Sequence, residues 1–340
     1  MPFFESKRPG KCILFFKFIQ KKGYGMPPSG KSLFWQKVTI VERKRMRKLA
    51  LSDEILMKVD KAARYIGGEV NSVMKDKNAV DIRFAMCFPD VYEIGMSNLG
   101  MMILYNMFNQ REDVWCERLF SPWPDLDKVM REQNIPLFAL ESQEPIRDFD
   151  FLGITLGYEM CYTNILQVLD LSGIPLKSAD RGEDFPIVIG GGACAYNPEP
   201  LAPFFDLFYI GEGETVYDAL FDAYKANKKA GGSRRDFLLA AAKIPGIYVP
   251  SLYEVTYKED GTIASFAPTA DGVPEKVQKQ LIIDMEKEYR AVEAPVVPHI
   301  KATQDRVTLE IQRGCIRGCR FCQAGMIYRP TRERDVETLK

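Results

Sequence analysis

From residue 80 to about 226, short apolar runs alternate with stretches in which apolar residues recur every three or four positions. That is the pattern of strands buried on both faces and joined by amphipathic helices. The run 83–88 reads as a strand ending at Pro89-Asp90, and Ser97 or Asn98 can cap a helix whose Leu99, Met102, Ile103 and Met107 share a face. Residues 114–120 read as a second strand, and Ser121-Pro-Trp-Pro-Asp opens a helix through Leu126, Val129 and Met130. Residues 136–140 and 149–156 give a third and a fourth strand. Tyr158, Cys161, Tyr162, Ile165, Leu166 and Leu169 then fall at helical spacing, with Gly173 as the stop. Strands at 187–189 and 206–210 and a helix over 215–226 complete the set. The expected fold is α/β, a doubly wound parallel sheet of the flavodoxin- or Rossmann-like kind.

The flanks are less regular. Residues 46–79 are expected as a helical lead-in, and 227–300 as a connector in which 251–257 and 262–266 flank Glu259-Asp-Gly261, a hairpin signal. The stretch 292–299 contains Pro295 and Pro298 and reads as extended, and His299, the single histidine, reads as solvated surface.

In doubly wound sheets ligands sit beyond the carboxyl ends of the strands. The residues at those ends are therefore the candidate cofactor-binding set: Asp90, Tyr92 and Gly95, then Thr155 with Gly157, then Gly190, Gly191 and Gly192, then Gly211 and Gly213 with Glu212 and Glu214. Any one glycine can serve only a tight turn, and it is their repetition on one edge that supports a ligand. No G-x-G-x-x-G follows a strand, so a dinucleotide site has no support. No catalytic residue stands out.

Composition narrows the class. The chain has 340 residues, of which 46% are hydrophobic, enough for ordinary cores, which excludes disordered, collagen-like and disulfide-scaffold proteins. No apolar run approaches the ~20 residues that cross a bilayer, and 13–19 is interrupted by Lys17, so a soluble protein is expected. The formal charge of zero conceals an asymmetry: residues 1–48 carry thirteen Lys and Arg against Glu5 and Glu42, a net of +11, and the rest carries −11. The basic head lacks the apolar core and cleavage site of an export signal. It could be an arm for nucleic acid or an acidic membrane, or a poorly ordered extension preceding a start at Met46, and residues 1–45 are expected to be the extension. A cytoplasmic, reducing compartment follows from the missing signal.

Eight cysteines matter differently. Cys12, Cys87, Cys116, Cys161 and Cys194 are scattered, and three others are packed into Arg313-Gly-Cys315-Ile-Arg-Gly-Cys319-Arg-Phe-Cys322, after an expected strand at 308–312. The spacing Cys-x3-Cys-x2-Cys lets three thiolates meet one cuboidal iron-sulfur cluster and leaves one iron without a protein ligand. An open iron can chelate the amino and carboxylate groups of S-adenosylmethionine (SAM) and pass an electron to its sulfonium, giving a 5′-deoxyadenosyl radical. The competing reading is structural zinc, which wants four ligands, and here a fourth would have to come from His299 or a distant cysteine.

Cys315-x3-Cys319-x-Phe321-Cys322 after a strand resembles the motif of the radical SAM superfamily, with Phe321 as the aromatic beside the cluster. The wider run 313–334 is similar to a bacterial family of radical enzymes with an N-terminal cobalamin-binding-like domain. The likeness extends through Phe88-Pro-Asp-Val-Tyr-Glu-Ile-Gly-Met-Ser, Asn197-Pro-Glu-Pro and Gly211-Glu-Gly-Glu, covering about 46–340. The resemblance implies that Cys315, Cys319 and Cys322 ligate a [4Fe-4S] cluster, that SAM binds there, and that a flavodoxin or ferredoxin supplies electrons. It implies a cobalamin-binding-like domain at 80–226 and, by analogy, methyl or methylthio transfer to RNA or protein.

Two positions depart from the family. Tyr92 stands two residues after Asp90, where cobalamin domains that use a protein imidazole on cobalt carry histidine, and Gln304 stands where a histidine is expected before Asp305-Arg306. Arg329, Arg332 and Arg334 either hold a substrate anion or pair with Glu310, Glu333 and Asp335. A radical SAM (β/α) barrel needs on the order of 200 residues. The segment 301–340 therefore reads as only the beginning of one, a strand, the cysteine loop and a helix start at Asp335, truncated, and such a chain is expected to bind a cluster weakly and not to turn over SAM. The rival is a ligand-binding or scaffold α/β protein whose cysteine loop is vestigial or holds zinc.

Overall fold

Strand β1 (Ile82–Phe88) is buried along its whole length, because Phe84, Met86 and Phe88 enter the core on one face of the sheet while Ala85 and Cys87 enter the core on the other. A strand covered on both sides has no polar face to show, which is why its sequence is a continuous apolar run. The computed structural model describes residues 48–288 and 292–340, so the basic extension at 1–45 and Cys12 lie outside the described residues. Residues 49–340 form one compact unit.

The sheet continues with β2 (Val114–Phe120), β3 (Phe151–Thr155), β4 (Ile187–Gly191), β5 (Leu207–Tyr209) and β6 (Ile247–Tyr248), in the order β2-β1-β3-β4-β5-β6. The first five are parallel and β6 closes the far edge antiparallel. The 2-1-3-4-5 order is the flavodoxin-like doubly wound arrangement, with its switch point between β1 and β3. Helices α1 (Leu99–Gln110), α4 (Tyr217–Ala230) and α5 (Arg234–Ala241) cover the Phe84 face, while α2 (Pro124–Gln133) and α3 (Tyr162–Leu171) cover the other. Asn98 caps α1 by accepting from Met101 N at 2.8 Å, and Gly173 ends the turn after α3 in the left-handed region. The α5 helix begins with a capping box of Ser233 and Asp236, a start signal the looser pattern after 227 conceals.

Three expectations are corrected. Residues 137–140 are all buried but form no strand: Ala139 N bonds Glu144 O and Ile146 N bonds Leu137 O within the loop, while Leu137 N and Leu140 N make single bonds to Leu171 O and Arg118 O, so apolarity there marks burial rather than a strand ladder. The lead-in 46–79 is mostly irregular, with one helical turn at Asp53–Leu56 and a 3-10 turn at Ala62–Arg64. It lies along the edge of the sheet, where Trp115 Nε1 donates to Val73 O at 3.0 Å and Lys75 Nζ binds the Arg111 and Val114 carbonyls. The stretch after 292 is extended but not a spacer, because Val297 pairs with Val70 and Asn71 Nδ2 donates to Pro295 O.

The expected hairpin is present as β7 (Tyr253–Tyr257) and β8 (Ile263–Pro268), with Gly261 at φ 79° and Tyr253 stacked on Phe266.

Candidate functional site

The carboxyl ends of β1, β3, β4 and β5, the start of α1 and the segment 310–314 enclose a cavity of about 560 Å³. Met86, Leu99, Leu104, Ile189, Tyr209 and Tyr217 give it an apolar body. Glycine backbones supply much of the remainder, as in small-molecule sites that combine an apolar wall with a few polar groups.

Of the candidate residues, Thr155, Gly191, Gly192, Gly211 and Gly213 line this cavity, and Gly157 joins them. Asp90, Tyr92, Gly95 and Gly190 do not. Asp90 accepts from the Tyr158 hydroxyl above the switch point. Tyr92 is 1% exposed, lies edge-on to Phe120 and donates to Glu69 Oε1 at 2.9 Å; burial and the neighbouring Glu69 carboxylate push its phenol well up. Gly95 and Gly190 are close-packing positions, since a Cβ would meet Phe120 at 2.2 Å and Phe208 at 2.7 Å. These three belong to the core rather than to a ligand.

The cysteine segment rises from the rim of the cavity. Strands β9 (Gln312–Arg313) and β10 (Arg332–Glu333) pair antiparallel and form the neck of a loop that carries α6 (Ala324–Ile327). The expected strand at 308–312 is thus reduced to its last residue plus Arg313, and the pairing is antiparallel rather than that of a β/α unit. Gly314 has φ 89° and lies so close to the Pro330 carbonyl that a Cβ would stand 2.4 Å from it. Lys279 Nζ donates to Ile327 O at 2.6 Å and Arg329 O at 2.8 Å, satisfying carbonyls at the end of α6. The Asp335 carboxylate accepts from Glu337 N where α7 (Val336–Leu339) begins.

Cys315 and Cys322 are half-buried and Cys319 is exposed, and Phe321 is 91% exposed. Cys87, Cys116, Cys161 and Cys194 are all buried, and burial pushes each of their thiols up, away from the thiolate. The three loop thiols are free of disulfides and their donor chemistry suits an iron-sulfur cluster. Their side chains are not gathered, however: among the described residues no three His, Cys, Asp or Glu groups stand together as an ion would need. Nothing lies within 4 Å of where a side chain at Gly318 would begin, so the middle of the loop is unpacked.

The partners of the arginines differ in part from those the sequence suggests. Arg332 donates through both terminal nitrogens to Glu212, at 2.8 and 2.7 Å, and to Ile282 O. Arg334 donates to the Glu310 carbonyl, and Arg329 to the Arg317 carbonyl. Arg313, which sequence reading passes over as part of the cysteine motif, is held by Glu310 and Glu214. Burial alone would raise the Glu212 carboxyl, but hydrogen bonds from Arg332 and the Ile282 amide, with the Arg313 charge, bring it below its ordinary value. His299 is exposed and its Nε2 lies 3.1 Å from Gly67 O.

Residues 100–250 match the family model of radical SAM proteins, N-terminal. An uncharacterized protein of Methanocaldococcus jannaschii is 27% identical over 256 residues, which is 75% of this chain and 44% of that protein. Among solved structures, the chain is similar to the radical S-adenosylmethionine methyltransferase TsrM from Kitasatospora setae with cobalamin and a [4Fe-4S] cluster bound, at 14% identity and TM-score 0.40, over 76% of this chain and 44% of that one. The same enzyme with tryptophan substrate and the SAM analogue aza-SAM gives 14% identity and TM-score 0.30, over 53% and 29%. The chain spans less than half the length of each of these proteins. Over residues 100–250, within its α/β domain, the chain is thus similar to the N-terminal region of radical SAM proteins.

Proposed function

We propose that the chain forms the N-terminal part of a radical SAM iron-sulfur enzyme, with Cys315, Cys319 and Cys322 as ligands of a [4Fe-4S] cluster. The observation that carries this is the contrast between the three accessible thiols of one short loop and the four thiols sealed in the core. When bound, such a cluster supplies the electron that cleaves SAM. This chain's residues contribute the rest: Gly314 lets the backbone turn at the cavity rim, Arg313 and Arg332 fix the neck, and the cavity at the sheet edge holds a substrate or second cofactor. An electron donor such as a flavodoxin or ferredoxin reduces the cluster, and methyl or methylthio transfer to RNA or protein is the reaction class.

Cobalamin, if it enters the cavity, does so without a protein imidazole on cobalt, since Tyr92 is packed inward against Glu69. Titration of the protein with cobalamin that leaves its absorption spectrum unchanged removes cobalamin from this reading.

Because the chain covers under half of its relatives, the decisive test is cluster assembly rather than turnover. Anaerobic reconstitution with ferrous iron and sulfide should yield a brown protein with roughly four irons per chain, and Cys→Ala at 315, 319 or 322 should lower that content sharply. The second reading is a scaffold domain whose loop is vestigial, which the ungathered thiols fit, or binds zinc. A colourless protein with stoichiometric zinc would establish it and end the radical reading.

A further inference from the structure

The turn after β5, Gly211-Glu-Gly-Glu214, delivers two carboxylates to the point where the cysteine segment meets the sheet. Glu212 accepts from Arg332 at 2.7 and 2.8 Å and from Ile282 N at 2.8 Å, and Arg313 Nη1 stands 3.2 Å from it. Glu214 takes Arg313 Nη2 at 2.6 Å, and Glu310 takes Arg313 Nε and Nη2 at 3.0 and 2.9 Å. Arg313 and Arg332 face each other in the β9/β10 ladder, so both guanidiniums that leave this rung are gripped by one acidic turn.

Beyond these ion pairs the loop is held by Lys279 on the Ile327 and Arg329 carbonyls and by the buried Ile327 side chain. A two-residue ladder is too short to be stable alone. Of the segment's apolar side chains Ile327 is buried, while Leu309, Ile311, Ile316 and Met326 are exposed. By contrast Glu212, Glu214, Arg313 and Arg332 are no more than 11% exposed, and the paired fork of Arg332 fixes orientation as well as distance. Glu310, Gln312, Arg313, Gly314 and Tyr328 are also one wall of the cavity. Release of the ion pairs would therefore open the cavity and displace Cys315 together.

We propose that Glu212 is the positioning residue of the cysteine loop, the hub of a latch through Arg332 and Arg313 that joins the loop and the sheet-edge cavity into one composite site. The part of this inference that concerns a cluster rests on the radical SAM reading above; the latch itself does not.

The test uses the full chain. In metal-free protein, trypsin should cut after the exposed Arg317 and Arg320 at least fivefold faster in Glu212→Gln than in the native protein, while the cooperative melting of the sheet domain is kept. Arg313→Gln should show the same acceleration, and the double variant Glu214→Gln with Arg313→Gln should be no faster than Arg313→Gln alone, the mark of a shared contact. After anaerobic reconstitution with iron and sulfide, the dithionite-reduced Glu212→Gln protein should give an electron paramagnetic resonance spectrum shifted from the native one. Equal cleavage rates and equal spectra overturn the latch. A native protein that takes up no iron defeats the functional reading instead, and the protease rates still decide the latch. If Glu212→Gln does not fold, Arg332→Gln, which removes the same paired fork from the loop side, carries the comparison.

Discussion

Arg118 stands in an edge strand with its side chain 3% exposed, a position where a charge survives only if it is fully paired. It is: its guanidinium meets Glu69 at 2.8 Å and Glu141 at 2.6 Å, and the Tyr105 hydroxyl donates to the same Glu141. Removing the cation alone leaves two buried carboxylates facing each other. Arg118→Met should therefore cost about 3–5 kcal/mol by denaturant unfolding. Replacing Glu69, Arg118 and Glu141 together by apolar residues should cost much less, because the strand then has no unpaired charge to bury. Glu93 is the acid-sensitive counterpart. Burial works against its charge, but hydrogen bonds from Arg64 and Lys61 hold its pKa down at about 2. Below its unfolded value, a carboxylate stabilises the fold fully above about pH 4.3, and that contribution fades as pH falls toward the folded value. Stability curves of native protein and Glu93→Gln should be separated at neutral pH and should converge between pH 4.3 and 2, so curves that stay parallel would contradict the assignment.

Helix α1 shows how one element serves both the fold and the site. Its N-cap Asn98 and first residues Leu99 and Gly100 are cavity wall, while Tyr105 and Phe108 further along are core. Asn98→Ala should cost about 1 kcal/mol in thermal or chemical unfolding, with the sheet retained. This helix was legible from its cap and its spacing, as were β1, β2 and the hairpin, because each is fixed by a local pattern. The 136–140 stretch was not, since burial and strand pairing leave the same apolar trace. Helix α5 was missed because its short amphipathic stretch sits in a region otherwise lacking period. Of the strand-end candidates, Thr155, Gly157, Gly191, Gly192, Gly211, Glu212, Gly213 and Glu214 line the cavity while Asp90, Tyr92, Gly95 and Gly190 do not, because a glycine needed for close packing and one beside a cavity look alike without the neighbouring Phe120 or Phe208. The partners of Arg332 could not have been foreseen, as Glu212 lies 120 residues away along the chain.

At the scale of the whole molecule, the seven described cysteines report on two different kinds of opening. Cys315, Cys319 and Cys322 are reachable in the native state, whereas Cys87 and Cys116 lie at 0% exposure inside the sheet and are reached only when the domain unfolds. A thiol reagent followed by mass spectrometry should label the first three rapidly and the two strand cysteines at a rate that rises with added denaturant in step with global unfolding. The stretch 67–73 carries a consequence for how such a molecule is made. Its partners are Pro295, Val297 and His299, with separations of 224 residues for the bond from Asn71 Nδ2 to Pro295 O and 232 for that between His299 Nε2 and the Gly67 carbonyl. At about 5–20 residues per second a ribosome delivers those partners roughly 10–45 seconds after the segment itself. For that interval the edge of the nascent sheet beside Trp115 lacks its final closure, and the step that completes it is a long-range contact of the slow kind rather than a local one.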